Sequence, residues 1–118
     1  MTYKVEGLDK LLRQLKELGP EIIEAAEAGL SEVAGDAKTE MQQRVRVDTG
    51  RLRDSIRVRG EGMDLNVGPG DEEKDKALAN EFGTRHMPAQ PYVLPAAEQA
   101  RKEMPKVIGE HVRKVLPK

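Results

Sequence analysis

The sequence contains no cysteine and no tryptophan, and only 3% of its 118 residues are aromatic. Without cysteine there can be no disulfide, no thiolate nucleophile and no cysteine-ligated metal. Because aromatic residues are so few, any core must be built from Leu, Ile, Val, Ala and Met. Such a core is modest for this length, so we expect additional burial against other protein copies or partners.

Long apolar runs are also missing from the sequence. No stretch of about 18 apolar residues is present, which predicts no membrane span. The first ten residues, MTYKVEGLDK, lack the apolar stretch of a signal peptide. The net charge of −1 provides no general attraction for nucleic acid or for an anionic membrane. We therefore expect a cytosolic protein that binds no membrane and no specific nucleic acid.

Residues that could carry out catalysis are scarce. The sequence has two histidines, His86 and His111, and no HExxH motif, nucleophile elbow or glycine-rich phosphate loop. Glu81 precedes His86 by five residues, which leaves a small enzyme centred on this pair as one alternative. No ligand cluster has the spacing of a metal site. We expect no enzymatic activity, no cofactor and no metal.

Apolar residues at helical spacing mark three segments. Leucines at i, i+3, i+4 and i+7 predict a short helix over 7–18, and a longer stripe predicts a helix over 20–46. Pro95 can occupy the first turn of a helix, which predicts a C-terminal helix over 95–116. Pro105 lies inside that helix and is expected to kink or divide it.

The middle of the chain has the alternating pattern of strands. It predicts a β-hairpin over 55–68, followed by an acidic loop over 69–76 that we expect to be mobile. Residues 77–82 fit a helical turn or a strand equally well. The whole pattern predicts a single α+β domain over 1–118, in which a long helix and a C-terminal helix pack on a small antiparallel sheet.

Residues 80–95 combine three of the seven prolines with two of the three Phe and Tyr residues. This proline density excludes both a helix and a central strand. We interpret the segment as a stiff connector that is held by Phe82 at one end and by Tyr92 at the other. The connector either serves only to position the last helix or also contacts a partner.

Charged residues occur in blocks of one sign. An acidic block over Glu17 to Glu32 contains Glu21 and Glu24, a basic block spans Lys38 to Arg59, and a second acidic block spans Glu61 to Glu81. The blocks fit head-to-tail contacts between identical copies, and they fit ordinary pairing within one chain equally well. An alternative is a nucleic-acid-binding module that uses the basic surface. The basic residues of the candidate interface are Arg44, Arg46, Arg51, Arg53, Arg57 and Arg59.

Three short elements together resemble the tail-component family of long-tailed bacteriophages. The first has the pattern Thr-Gly-x-Leu-x-x-Ser, the second is Glu-Phe-Gly-Thr, and the third places an aromatic residue after Gln-Pro and before Pro-Ala. The residues that carry the likeness are Thr49, Gly50, Leu52 and Ser55, then Glu81, Phe82, Gly83 and Thr84, then Pro91, Tyr92 and Pro95.

The resemblance implies a structural virion protein of a phage or prophage. Proteins of this kind look like adaptors that assemble as a homo-oligomeric ring at the neck or the head-proximal end of the tail and join head to tail. It also implies contacts with head-completion, tail-terminator or tail-tube proteins. The protein would then be found in the virion, and in the host cytoplasm during assembly.

Overall fold

A computed structural model describes residues 3–4, 13, 17, 19–46 and 50–116. The short helix predicted over 7–18 falls almost entirely outside these residues, and Thr49 lies outside them as well. In chain order the elements are β1 (Tyr3–Lys4), α1 (Pro20–Arg44), α2 (Arg51–Ser55), β2 (Arg57–Glu61), β3 (Asp64–Gly68), a 3-10 turn (Asp71–Glu73), α3 (Lys74–Phe82) and α4 (Val93–Arg113).

Helix α1 is the centre of the fold and contacts both α4 and the sheet. It begins at Pro20, whose fixed backbone angle suits the first helical position, and it ends at Arg44 rather than at the predicted residue 46. One broad face of the helix is buried. That face consists of Ile22, Ala26, Gly29, Leu30, Val33, Ala34, Ala37 and Met41.

Small residues let α1 and α4 pack closely in antiparallel orientation. Gly29 lies against Ile108, and a Cβ atom added to this glycine would stand 2.9 Å from the Cα atom of Ile108. Further along, Ala37 of α1 faces Ala96 and Ala100 of α4 across a shallow groove. The two backbones therefore approach each other where a larger side chain would hold them apart.

The sheet also packs against α1. Its described strands have the order β1-β3-β2, and both pairings are antiparallel. Val58 pairs with Val67, and the buried Leu65 and Val67 belong to the central strand. Gly60, near the end of β2, and Gly62, in the hairpin turn, have positive φ angles of 102° and 60°, which favour glycine. The predicted α+β class is confirmed.

The acidic segment 69–76 is not the irregular loop that its composition predicts, and its mobility stays a prediction. It forms the 3-10 turn Asp71–Glu73 and the first residues of α3. Carboxylates near a helix N-terminus are stabilised by the backbone N–H groups and the helix dipole, so this acidic run favours helix initiation. The segment 77–82, which sequence alone left undecided, completes α3.

The ends of the last helix and of the connector also differ from prediction. Helix α3 extends to Phe82 and α4 begins at Val93, so the irregular connector spans 83–92 rather than 80–95. Pro95 lies in the first turn of α4, where no intrahelical N–H bond is required. Pro105 does not divide α4. Its side chain is exposed on the surface of the helix.

None of the helices in the described part of the chain is both long enough and apolar enough to cross a lipid bilayer.

Candidate protein-interaction site

A buried carboxylate joins α3 to the start of α4. The Glu81 side chain is only 6% exposed, and its Oε1 atom accepts hydrogen bonds from the backbone N–H groups of Tyr92 and Val93, both at 2.9 Å. Its Oε2 atom accepts from the N–H of Leu94 at 3.3 Å. Glu81 thus caps the N-terminus of α4 from another helix, and its negative charge faces the positive end of the helix dipole.

Two amide side chains fix the connector to the end of α1. Buried Asn80 donates from Nδ2 to the carbonyl oxygen of Gln90 at 2.6 Å, and its Oδ1 atom accepts from the backbone N–H of Arg46 at 3.1 Å. Gln90 in turn donates from Nε2 to the carbonyl oxygen of Arg44 at 3.2 Å. Backbone N–H and C=O groups of an irregular segment need hydrogen-bond partners from side chains. Asn80 and Gln90, the amide residues near this segment, could have been predicted from the sequence on that ground.

The glycine that follows α3 is needed for close backbone contact. Gly83 has a φ angle of 79°, and a Cβ atom there would lie 2.7 Å from the backbone nitrogen of Ala89. A tight turn follows, in which Thr84 and Met87 exchange both backbone hydrogen bonds at 2.8 and 3.3 Å. In the Glu-Phe-Gly-Thr element, Glu81 therefore caps α4, Gly83 allows close contact with the backbone of Ala89, and Thr84 begins the turn.

The Thr-Gly-x-Leu-x-x-Ser element forms a second tertiary link. Gly50 adopts a left-handed conformation with φ of 83° just before α2, and Leu52 is buried. The buried Ser55 hydroxyl donates to the carbonyl oxygen of Leu52 at 2.7 Å and accepts from the N–H of Gly70 at 3.2 Å. This element joins α2 to the segment that leads into α3.

The expected aromatic anchor at Phe82 is absent. Tyr92 is fully buried, as predicted for an anchor, but Phe82 is 70% exposed. Helix α3 buries Ala77, Asn80 and Glu81, and Phe82 lies on its other side. Leu78, one turn earlier, is 36% exposed, and Leu94, beside the Glu81 cap, is 57% exposed. We call Leu78, Phe82 and Leu94 the apolar patch.

A family comparison matches residues 9–87 to the model described as "Bacteriophage HK97-gp10, putative tail-component". The chain belongs to this family. The resemblance inferred from the sequence is thereby confirmed, and the protein is a member of a family of phage tail components. Comparison with curated proteins and with solved structures finds no significant match.

The family match contains both the Thr-Gly-x-Leu-x-x-Ser element and the Glu-Phe-Gly-Thr element of this tail component. It ends at residue 87, so Pro91, Tyr92 and Pro95 lie beyond it. Within the fold, however, the second element and the residues beyond the match form one unit, because Glu81 caps the helix that follows Tyr92.

Two arginines of the basic block brace the segment between β3 and α3. Arg57 donates to the carbonyl oxygen of Ser55 at 3.1 Å and forms an ion pair with Glu72. Arg59 donates to the carbonyl oxygen of Pro69 at 3.0 Å. Both guanidinium groups are therefore already engaged within the chain, and that of Arg57 is paired with a carboxylate, an arrangement that disfavours phosphate binding.

The other charged candidates are spread over separate surfaces. Arg44 pairs with Glu40 at 2.7 Å, and Arg53 pairs with Asp54 at 3.2 Å. Arg51 is engaged as well, and exposed Glu21 and Glu24 lie at the far end of α1. Pairing within one chain therefore accounts for much of the basic block. Contact of these residues with another copy remains a prediction.

The Glu81–His86 pair lacks the arrangement expected of an acid–base site. Both carboxylate oxygens of Glu81 accept backbone N–H groups of α4, and the His86 side chain is exposed. Among the described residues, no cluster of His, Asp and Glu has the arrangement of a metal site.

Proposed function

We propose that this tail component is a structural adaptor that assembles as a ring at the neck or the head-proximal end of the tail and joins head to tail. Its partners would be further copies of itself and head-completion, tail-terminator or tail-tube proteins. The observation that carries the proposal is the exposure of Phe82, the sole phenylalanine of the chain, in an otherwise well-braced region.

The surroundings of Phe82 favour binding to a preformed surface. Phe82 ends α3, and the next residues are held by the Glu81 cap, the Asn80–Gln90 contacts and the turn at Thr84. An aromatic side chain on a rigid support loses little conformational entropy when a partner covers it. Clustered apolar exposure of this kind is typical of a protein-binding surface.

The proposal is tested in the phage or prophage that encodes the chain. We expect Phe82→Ser to leave the fold intact, because the side chain is mostly exposed, but to yield separate heads and tails under the electron microscope. Val115→Ser is the matched control, because Val115 is also an exposed apolar residue but lies in the turn after α4. Normal yields of joined particles with Phe82→Ser would contradict the adaptor role of this surface.

A further inference from the structure

Helix α3 carries an exposed stripe in which an acidic residue accompanies apolar ones. Asp75, Leu78 and Phe82 are spaced i, i+3 and i+7, which places them on one face of the helix. On the neighbouring helix, exposed Glu98 follows Leu94 by one turn. Asp75 thus lies beside Leu78 and Phe82 on α3, and Glu98 lies one turn after Leu94 on α4, while exposed Lys74 precedes Leu78 by one turn.

A groove on an adjacent side of α3 has the opposite charge. Its volume is about 330 Å³, and its apolar lining includes Leu52, Ala79 and Met87. Arg46 and Lys76 line the same groove and are cationic. The volume is sufficient for an aromatic side chain together with part of a neighbouring aliphatic one.

The positive charge of Arg46 is held at this groove by neutral acceptors. Its Nε atom donates to Oε1 of Gln90 at 2.5 Å, and its Nη2 atom donates to the carbonyl oxygen of Pro88 at 3.0 Å. These contacts orient the guanidinium group without neutralising it. The Lys76 Nζ atom lies 4.0 Å from Glu73, a distance at which an exposed pair is weak.

We propose that the apolar patch of one copy docks into this groove of the next copy. Phe82 would enter between Leu52, Ala79 and Met87, while the carboxylates beside the patch would approach Arg46 and Lys76. Contact between two patches is disfavoured, because it would place Asp75 and Glu98 against the same carboxylates of the other copy. This inference rests on the proposed self-assembly of the protein and specifies the surfaces that it uses.

The contact joins two different surfaces and is therefore head-to-tail. At about 100° per residue, Ala79 of the groove lies about 100° around α3 from Leu78 and about 60° from Phe82. Each copy can then use its patch toward one neighbour and its groove toward another. Contacts of this type form rings when the rotation closes and filaments when it does not.

The absence of native cysteine allows a direct crosslinking test. One chain carries Leu78→Cys, which leaves Phe82 in place, and a second chain of different mass carries Met87→Cys in the groove. The two variants are mixed and oxidised in two samples. One sample is the purified protein at high concentration, and the other is virions assembled from both variants. We expect the mixed dimer to exceed either homodimer several-fold. Val115→Cys, outside both surfaces, replaces Leu78→Cys in the control and should give no such excess.

Two results overturn the inference. One is a preference for the Leu78→Cys homodimer, which would indicate contact between two patches. The other is an equal or negligible yield of all dimers in both samples. If the copies nevertheless assemble in virions, self-assembly stands and only the choice of surfaces is wrong. If the protein is absent from virions, the proposed function fails as well.

Discussion

Glu81 connects the local sequence motif to the tertiary structure. Its carboxylate is buried, yet three backbone N–H groups at the start of α4 surround it, so the cost of burial is offset by hydrogen bonds and by the helix dipole. Since it also fixes α3 relative to α4, this one side chain determines where Phe82 and Leu94 stand relative to each other.

Replacing Glu81 by glutamine tests that role. The amide has nearly the same shape, but it removes the charge and presents an N–H₂ group toward backbone donors. We expect Glu81→Gln to lower the free energy of unfolding by about 1–3 kcal/mol in urea denaturation. Glu110→Gln, an exposed change on the same helix α4, should alter it by less than about 0.5 kcal/mol. Equal effects of the two variants would refute the capping role.

Tyr92 contrasts with Glu81, because its buried hydroxyl group has no hydrogen bond among the described residues to offset the cost of burial. Its side chain is 0% exposed, and its hydroxyl has no hydrogen-bond partner among the described residues. We expect Tyr92→Phe to be neutral or to raise the free energy of unfolding by up to about 1 kcal/mol at neutral pH. A loss of more than about 1 kcal/mol would mean that the hydroxyl makes a stabilising bond.

The same residue predicts a dependence on alkaline pH. Burial, and to a lesser extent the nearby Glu81 carboxylate, raise the pKa of the Tyr92 hydroxyl above its ordinary value of 10.0. The unfolded chain therefore releases this proton at lower pH than the folded chain, so stability falls as the pH rises above about 10. We expect the wild type to lose stability faster than Tyr92→Phe in this range, as measured by denaturation at several pH values.

At the level of the elements, helix α1 contains two glycines, Gly29 and Gly35. The close packing of α1 on α4 depends on Gly29 and not on Gly35. Gly29 faces the backbone of Ile108, whereas nothing lies within 4 Å of a Cβ atom placed on Gly35. The two positions thus form a matched pair within one helix. Substitution of Gly35 measures only the cost of glycine to helix stability, whereas substitution of Gly29 also measures the benefit of a small residue where α1 crosses α4.

Alanine substitution of these glycines should give opposite signs. We expect Gly29→Ala to destabilise the protein by about 1–3 kcal/mol, because the new methyl group would collide with the α4 backbone. Gly35→Ala should stabilise it by about 0.5–1 kcal/mol through helix propensity. Thermal denaturation of the two variants measures both effects, and a stabilising Gly29→Ala would contradict the observed helix spacing.

The elements with strong periodicity were predictable, and those that depend on tertiary contacts were not. Apolar residues at regular spacing predicted α1 and the β2–β3 hairpin closely, because each buries one face. The acidic run before α3 was misinterpreted, because charge composition alone does not distinguish a solvated loop from a helix N-terminus. Phe82 was wrongly expected to be buried, because residue type alone does not determine which face of α3 is covered.

At the level of the whole molecule, the shape is elongated. The protein measures 58 × 22 × 22 Å, and its radius of gyration of 16.2 Å exceeds the roughly 13–14 Å of a compact domain of this length. An elongated body exposes more surface per residue and buries less core. That geometry, together with the apolar patch, fits a subunit whose stability and function are completed by neighbours in an assembly.

The most direct measurement is the structure of the intact virion by cryo-electron microscopy. We predict density for this chain as a ring between head and tail, with Phe82 and the connector over 83–92 covered by neighbouring subunits. Density in which the patch and the connector both face open solvent, away from every other protein, would contradict the account.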